Sequence, residues 1–292
     1  MTPPEFKEKG STHMNHATFI STIVLAAGSQ VLADETVWIP IEIEGQATTN
    51  AYADSVGWNG QEPEWEQDSE SVGILSFAEL PAEAAAFAST EMSSSSSEAR
   101  LDGILRETGF SLSVDGSTSA LGFSDDASES IGSGQEDAWV EMTAKLYGET
   151  FVDVQGWLSA TGMNGVGIAD ISIFDEFAES TVATWSADAA DRQIADRIRL
   201  QSGYYTFRVS ISAGSDAGYD PGSVDAWTSE HAALEVSFIP RRPGDINADG
   251  VVDGNDLGKL FANWGTDDSD ADVNGDGVVN GSDIGLLFAN WG

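Results

Sequence analysis

Tyr204-Tyr205-Thr206-Phe207-Arg208-Val209-Ser210-Ile211 sets the reading of the large N-terminal part of the chain. Tyr205, Phe207, Val209 and Ile211 alternate with Tyr204, Thr206, Arg208 and Ser210. Successive side chains of an extended strand point to opposite faces, so a period of two with one apolar set predicts a half-buried strand. The same pattern recurs on both sides. Val140, Met142, Ala144 and Leu146 alternate with Glu141, Thr143 and Lys145, and Leu234, Val236 and Phe238 alternate with Glu235 and Ser237. Phe110, Leu112 and Val114 alternate with serines and Asp115 ahead of Gly116. Val37, Ile39, Ile41 and Ile43 alternate with Trp38, Pro40, Glu42 and Glu44, which places the isoleucines on the apolar face. Many such strands with Gly-, Asp- and Ser-rich turns predict a mostly β chain, with a β-sandwich or jelly-roll-like domain over 34–238. The Ala- and Glu-rich stretch Pro81 to Ala88 predicts a short helix, and the serine run Ser93 to Ser97 an exposed loop. Pro240 and Pro243 stiffen residues 239–244 into a linker.

Composition narrows the function. The 292 residues carry 49 acidic and 12 basic side chains, a formal charge of −37. Such a surface repels nucleic acid and anionic membranes. With no cysteine there is no disulfide, thiolate metal site or thiol nucleophile. Ala17 to Gly28 is mostly apolar, and Val31-Leu32-Ala33 has the small-residue pattern of a cleavage site. Residues 1–33 are therefore expected to be a signal peptide cut before Asp34, directing the protein outside the cell or to its surface. Lys7 and Lys9 are offset by Glu5 and Glu8, and Met14 is an alternative start. The apolar run is too short to span a membrane.

Residues 245–292 hold an internal repeat. Asp245-Ile-Asn-Ala-Asp-Gly-Val-Val-Asp-Gly-Asn-Asp256 aligns with Asp272-Val-Asn-Gly-Asp-Gly-Val-Val-Asn-Gly-Ser-Asp283, and each copy runs on to Phe-Ala-Asn-Trp-Gly. Ca²⁺ takes six to eight oxygen ligands, which a twelve-residue loop supplies from positions 1, 3, 5, 9 and 12 and the carbonyl of position 7. Here those positions are Asp245, Asn247, Asp249, Asp253 and Asp256 with the Val251 carbonyl, and Asp272, Asn274, Asp276, Asn280 and Asp283 with the Val278 carbonyl. Position 6, where the loop turns sharply, is Gly250 in one copy and Gly277 in the other. A helix is expected after each loop. Leu257, Leu260, Phe261 and Trp264 fall on one face, as do Ile284, Leu287, Phe288 and Trp291. Asn255 and Ser282 are the expected N-caps, and the two Phe/Trp faces are expected to bury against each other.

This repeat resembles the type I dockerin family, whose loops carry Asp at position 12 where ordinary EF-hands carry Glu. The resemblance implies two bound Ca²⁺ and a small helical module that attaches its host domain to a cohesin-like protein or other surface receptor. Positions 10 and 11 hold Gly254-Asn255 and Gly281-Ser282, where well-studied dockerins often carry Ser-Thr. Positions 17 and 18 hold Phe261-Ala262 and Phe288-Ala289, where those dockerins often carry Lys or Arg.

The role of the large domain stays open between a binding or structural module, a polysaccharide-degrading hydrolase and a carbohydrate-binding module. Hydrolysis of a glycoside needs two carboxylates at a set separation, and no pair stands out from the sequence. Glu136 with Asp137, and Asp191 with Asp196, read as surface residues. A Ser-His-Asp triad would have to use His231, the only histidine after residue 33. Trp58 and Trp65 lie in a polar stretch and are candidates for stacking on a polysaccharide, whereas Trp139, Trp157 and Trp185 read as core.

Overall fold

The computed structural model describes residues 38–57, 64–90, 93–125, 128–188, 190–217, 222–240, 242–247, 249–268 and 270–292; the expected signal peptide and Trp58 lie outside them. In chain order the strands are β1 (Trp38–Gly57), β2 (Glu64–Ile74), β3 (Ala82–Ser89), β4 (Ser94–Arg106), β5 (Gly109–Asp125) and β6 (Ser128–Leu146). There follow β7 (Thr150–Met163), β8 (Gly165–Asp175), β9 (Ser180–Ala187), β10 (Arg192–Leu200), β11 (Gly203–Ala217) and β12 (Gly222–Pro240). Two helices close the chain, α1 (Gly254–Ala262) and α2 (Gly281–Ala289).

All strand pairs are antiparallel. One sheet runs β3-β4-β5-β12-β7-β10 and the other β2-β1-β6-β11-β8-β9. The β5–β6 ladder joins them only at Ser124↔Glu129 and Asp125↔Ser128. The chain is thus mostly β, and its two sheets pack face to face as a sandwich. Ile239 and Pro240, expected in the linker, complete β12 opposite Phe151 and Thr150.

The interior tapers. At the wide end Trp38, Phe110, Phe207 and Phe238 form one aromatic cluster, with ring centroids 4.6–6.0 Å apart. At the narrow end the core is Ala51, Ala53, Ala86 and Ala88. There the sheets come so close that a Cβ on Gly132 would lie 2.4 Å from the Ser94 carbonyl of the facing sheet. This taper explains two departures from the sequence reading. The expected helix over Pro81 to Ala88 is strand β3, because only alanine fits its inward positions 84, 86 and 88, and that requirement outweighs alanine's helix propensity. The expected serine loop opens β4. Ser93, Ser95 and Ser97 are buried, and their hydroxyls donate to the carbonyls of Asp54 (2.9 Å), Tyr52 (2.8 Å) and Asn50 (2.9 Å) across the interior.

A third departure lies in β1. The ladder to β6 slips between Pro40 and Glu42, leaving Ile41 as an inserted residue. Such a bulge inverts which parity faces inward. Trp38 is therefore buried before it and Ile43 after it, while Ile41 faces solvent.

Candidate functional site

The two loops share one framework of side-chain-to-backbone bonds. In the first, Asp245 accepts from the amide of Gly250 (3.0 Å), Asn247 Oδ1 from Asp249 (2.9 Å), and Asp249 Oδ1 from Val251 (2.9 Å). In the second, Asp272 accepts from Gly277 (2.7 Å), Asn274 Oδ1 from Asp276 (2.7 Å), and Asp276 Oδ1 from Val278 (3.0 Å). The Asp276 carboxyl is held below the usual carboxylate range, first by its hydrogen bond from Asn274 and then by the Val278 amide. Gly250 and Gly277 have φ of +89° and +91° with nothing near the missing Cβ, so backbone conformation alone demands glycine there.

Position 12 is the buried anchor. Asp256 accepts from the amides of Asn247 (2.9 Å) and Asp253 (2.8 Å); Asp283 accepts from Asn274 (3.0 Å) and Asn280 (2.7 Å). Both carboxylates are fully buried and tie positions 3 and 9 to the first helical turn. Position 9 supplies the N-caps, a correction to the expected Asn255 and Ser282. Asp253 accepts from the Asn255 amide (2.7 Å) and Asn280 from the Ser282 amide (2.8 Å). A side chain that caps must precede the first helical residue, and here that residue is Gly254 or Gly281.

The loops also hold each other. Gly265, just past α1, donates to the Val279 carbonyl in the second loop (2.9 Å), and Gly292, past α2, donates to the Val252 carbonyl in the first (3.0 Å). The shared core is Ile246, Val252, Leu260, Ala271, Val279 and Leu287. The aromatic faces do not bury against each other as expected. Phe261 and Phe288 are each 54% exposed, and each packs on the tryptophan of its own repeat, Trp264 at 5.8 Å and Trp291 at 5.3 Å. Small aliphatic residues already fill the space between helices of only nine residues each.

The donor set of both loops is all oxygen, which suits a hard cation such as Ca²⁺. Among the described residues, however, no three acidic or histidine side chains already converge as a metal cage. Side-chain amides occupy ligand oxygens instead: Asn247 donates to the Asp249 carboxylate (2.7 Å), Asn274 to the Asp276 carboxylate (2.9 Å), and Asn280 to the Val278 carbonyl (2.8 Å). The first loop also faces the sandwich. Arg197 on β10 chelates Asp153 at 2.5 and 2.9 Å, and its guanidinium is further stabilised in the charged form by Asp245 and Asp249. Its neighbour Arg199 pairs with Glu149 and, at 2.5 Å, with Asp270 between the loops.

The sandwich holds its own unusual group. Glu136 on β6, read from sequence as a surface residue, is 1% exposed, and Glu230 on β12 is 2% exposed. The two carboxyls meet across the interior. Burial pushes Glu136 up to about 9, reinforced by the adjacent Glu230 carboxyl and its charge; burial likewise lifts Glu230 to about 7. Two glycines make room: a Cβ on Gly116 would sit 2.0 Å from Glu136 Oε1, and one on Gly167 1.9 Å from Glu230 Oε1. No substrate reaches so enclosed a pair, so it does not serve as a hydrolytic acid and base.

The remaining candidates are placed as follows. His231 Nδ1 is 2.5 Å from Asp115 Oδ1, and that hydrogen bond raises the imidazole's pKa. Ser159 is the neighbour of His231 across the ladder, but its hydroxyl donates to Asp191 (2.7 Å), so no nucleophile–base contact forms. Asp196 accepts from the Trp185 indole (2.9 Å), and Trp185 is core as expected. Trp139 is half-buried under the Arg208 guanidinium at 4.6 Å. Trp157 is not core: it stands on the outer face of β7, 41% exposed. Trp65 is 68% exposed on β2.

No protein-family model matches the chain, and no curated protein does. Among solved structures, it is similar to a chain of infectious bursal disease virus Gt strain at 14% identity and a TM-score of 0.20, over 71% of this chain and 59% of that one. The VP2 subviral particle of the same virus gives 13% identity and a TM-score of 0.21, over 72% and 59%. At that level the likeness identifies neither fold nor function. No helix among the described residues is long and apolar enough to cross a membrane.

Proposed function

We propose that this chain is an exported binding or structural protein whose β-sandwich is carried by a dockerin-like module that binds two Ca²⁺ and docks on a cohesin-like or other surface receptor. What supports the reading is the equivalence of the two loops. In each, positions 1, 3, 5 and 12 accept the same backbone amides, around a glycine of positive φ at position 6. In this reading Asp245, Asn247, Asp249, Asp253 and Asp256 with the Val251 carbonyl hold one ion. Asp272, Asn274, Asp276, Asn280 and Asp283 with the Val278 carbonyl hold the other. The ions supply fixed positive charge that replaces the amide donors among the carboxylates and sets the start of each helix. The solvent-facing pairs Phe261–Trp264 and Phe288–Trp291 then provide two apolar anchors for a receptor.

The test is capture of proteins from the surface of the source cell by immobilised full chain, in Ca²⁺ and in EDTA. A partner retained in Ca²⁺, released by EDTA and lost on Phe261→Ala with Phe288→Ala supports the reading. Capture indifferent to EDTA counts against it.

A further inference from the structure

The outer face of the β3–β10 sheet carries a trough of about 450 Å³ at its centre, within the usual size range of ligand sites. Its shape follows from register. One row of laterally paired residues crosses five strands: Asp102 on β4, Ser113 on β5, Ala233 on β12, Trp157 on β7 and Gln193 on β10. Ser113 and Ala233 are short and form the floor. Trp157 stands as one wall, with the Gln193 amide beside it. Adjacent strands lie about 4.8 Å apart, so the row is about 19 Å long. In the next row Glu235 faces the same trough and pairs with Arg106 at 3.4 Å.

We propose that this trough binds a neutral polysaccharide chain lying across the strands, with Trp157 as its stacking platform. The chemistry is that of sugar recognition. An indole face offers flat apolar surface to ring C–H groups, while the Gln193 amide on the neighbouring strand, and the Ser113 hydroxyl and Asp102 carboxylate further along the row, suit the ligand's hydroxyls. The trough opens to solvent on the outer face of the sheet. Asp102 and Glu235 on its rim are each paired with an arginine, Arg100 at 3.5 Å and Arg106 at 3.4 Å, so it is the chain's net charge of −37 that disfavours uronic-acid and sulfated glycans. Trp65 has more exposed surface but stands on β2, in the other sheet, among Glu64, Glu66 and Asp68.

The proposal is independent of the calcium reading, so binding is expected in EDTA as well as in Ca²⁺. The test is native affinity electrophoresis of the full chain through gels containing hydroxyethylcellulose, arabinoxylan or galactomannan, with polygalacturonate as the anionic control. At least one neutral polymer should retard the wild-type chain, and polygalacturonate should not. Trp157→Ala should reduce retardation at least tenfold, and Ser113→Trp, which fills the trough while keeping Trp157, should do the same. Trp65→Ala should leave it unchanged. Equal melting temperatures establish that the variants are folded. No retardation by any of the three neutral polymers, or retardation that survives both trough variants, would overturn the proposal.

Discussion

Glu136 and Glu230 come from opposite sheets of the sandwich, and their carboxyl groups meet where neither touches solvent. Such a pair holds protons tightly, because burial and mutual repulsion both penalise the second negative charge.

The consequence is an acid-favoured sandwich. Both groups titrate higher in the folded chain than the usual 4.5, Glu136 at about 9 and Glu230 at about 7. The folded state therefore binds more protons than the unfolded one, so the pair's contribution is fully present below about pH 4.5 and is lost as pH rises toward 9. Thermal melts at pH 5.5 and pH 9 should show the wild type losing stability over that interval. Glu136→Gln should lose markedly less. Parallel pH dependence in the two proteins would show that the pair does not titrate as described.

Gly116 and Gly167 should be intolerant of even one methyl group. A Cβ at either would lie within about 2 Å of a buried carboxyl oxygen, which would have to shift. Overpacking of this kind costs about 1–3 kcal/mol. Gly116→Ala should lower the denaturant midpoint accordingly, and combining it with Glu136→Ala should restore part of the loss. Urea titration of the single and double variants checks both statements.

The exposed edge of β3 is sealed by side chains. The amides of Ala85, Phe87 and Ser89 donate to carboxylates of Glu70 (2.8 Å), Asp68 (3.2 Å) and Glu66 (2.8 Å) on β2. Open strand edges recruit other strands, and charge is a common protection. Replacing these three acids with alanine should leave the sandwich folded but make it self-associate, seen by light scattering as concentration rises. Unchanged scattering would mean that the edge is protected by other means.

Much of this architecture was legible in the sequence wherever a strand keeps its register. Phe110, Val140, Phe207 and Val236 all face inward as their alternation predicts. The reading failed where distant residues set the local outcome. Nothing near Pro40 announces that β1 will slip and turn Trp38 inward instead of Ile41. The narrow end converts an alanine-rich stretch into β3 and a serine run into β4, through contacts with β1, some 40 residues away. In the repeat, spacing marked out the two turns, because the hydrogen bonds that shape each one run between residues at most nine apart. The solvent exposure of Phe261 and Phe288 was not legible, since periodicity marks a face without saying what covers it. Glu136 and Glu230 lie 94 residues apart in the chain. Their one sequence signal is that each breaks an inward-facing run, with Ala138 and Val140 after Glu136, and Ala232 and Leu234 after Glu230.

The loops should differ in affinity. Asp253 gives the first a fourth carboxylate, whereas Asn280 in the second donates its amide to the Val278 carbonyl (2.8 Å), a group a cation would need. Asn280→Asp removes that competition, adds ligand charge and places a carboxylate at a helix N-terminus, so it should tighten the weaker site by roughly tenfold. Arg197→Gln should tighten the first loop by roughly threefold, the effect of one screened neighbouring charge. Sites that respond to neither change would contradict the assignment of position 9 and of the Arg197 contact.

Isothermal titration of the chelator-stripped full chain counts the ions that the proposed loops would hold. Two Ca²⁺ per chain should bind, with one remaining after Asp245→Ala or Asp272→Ala and none after both. No binding heat, or a stoichiometry unchanged by the double substitution, would contradict the proposal.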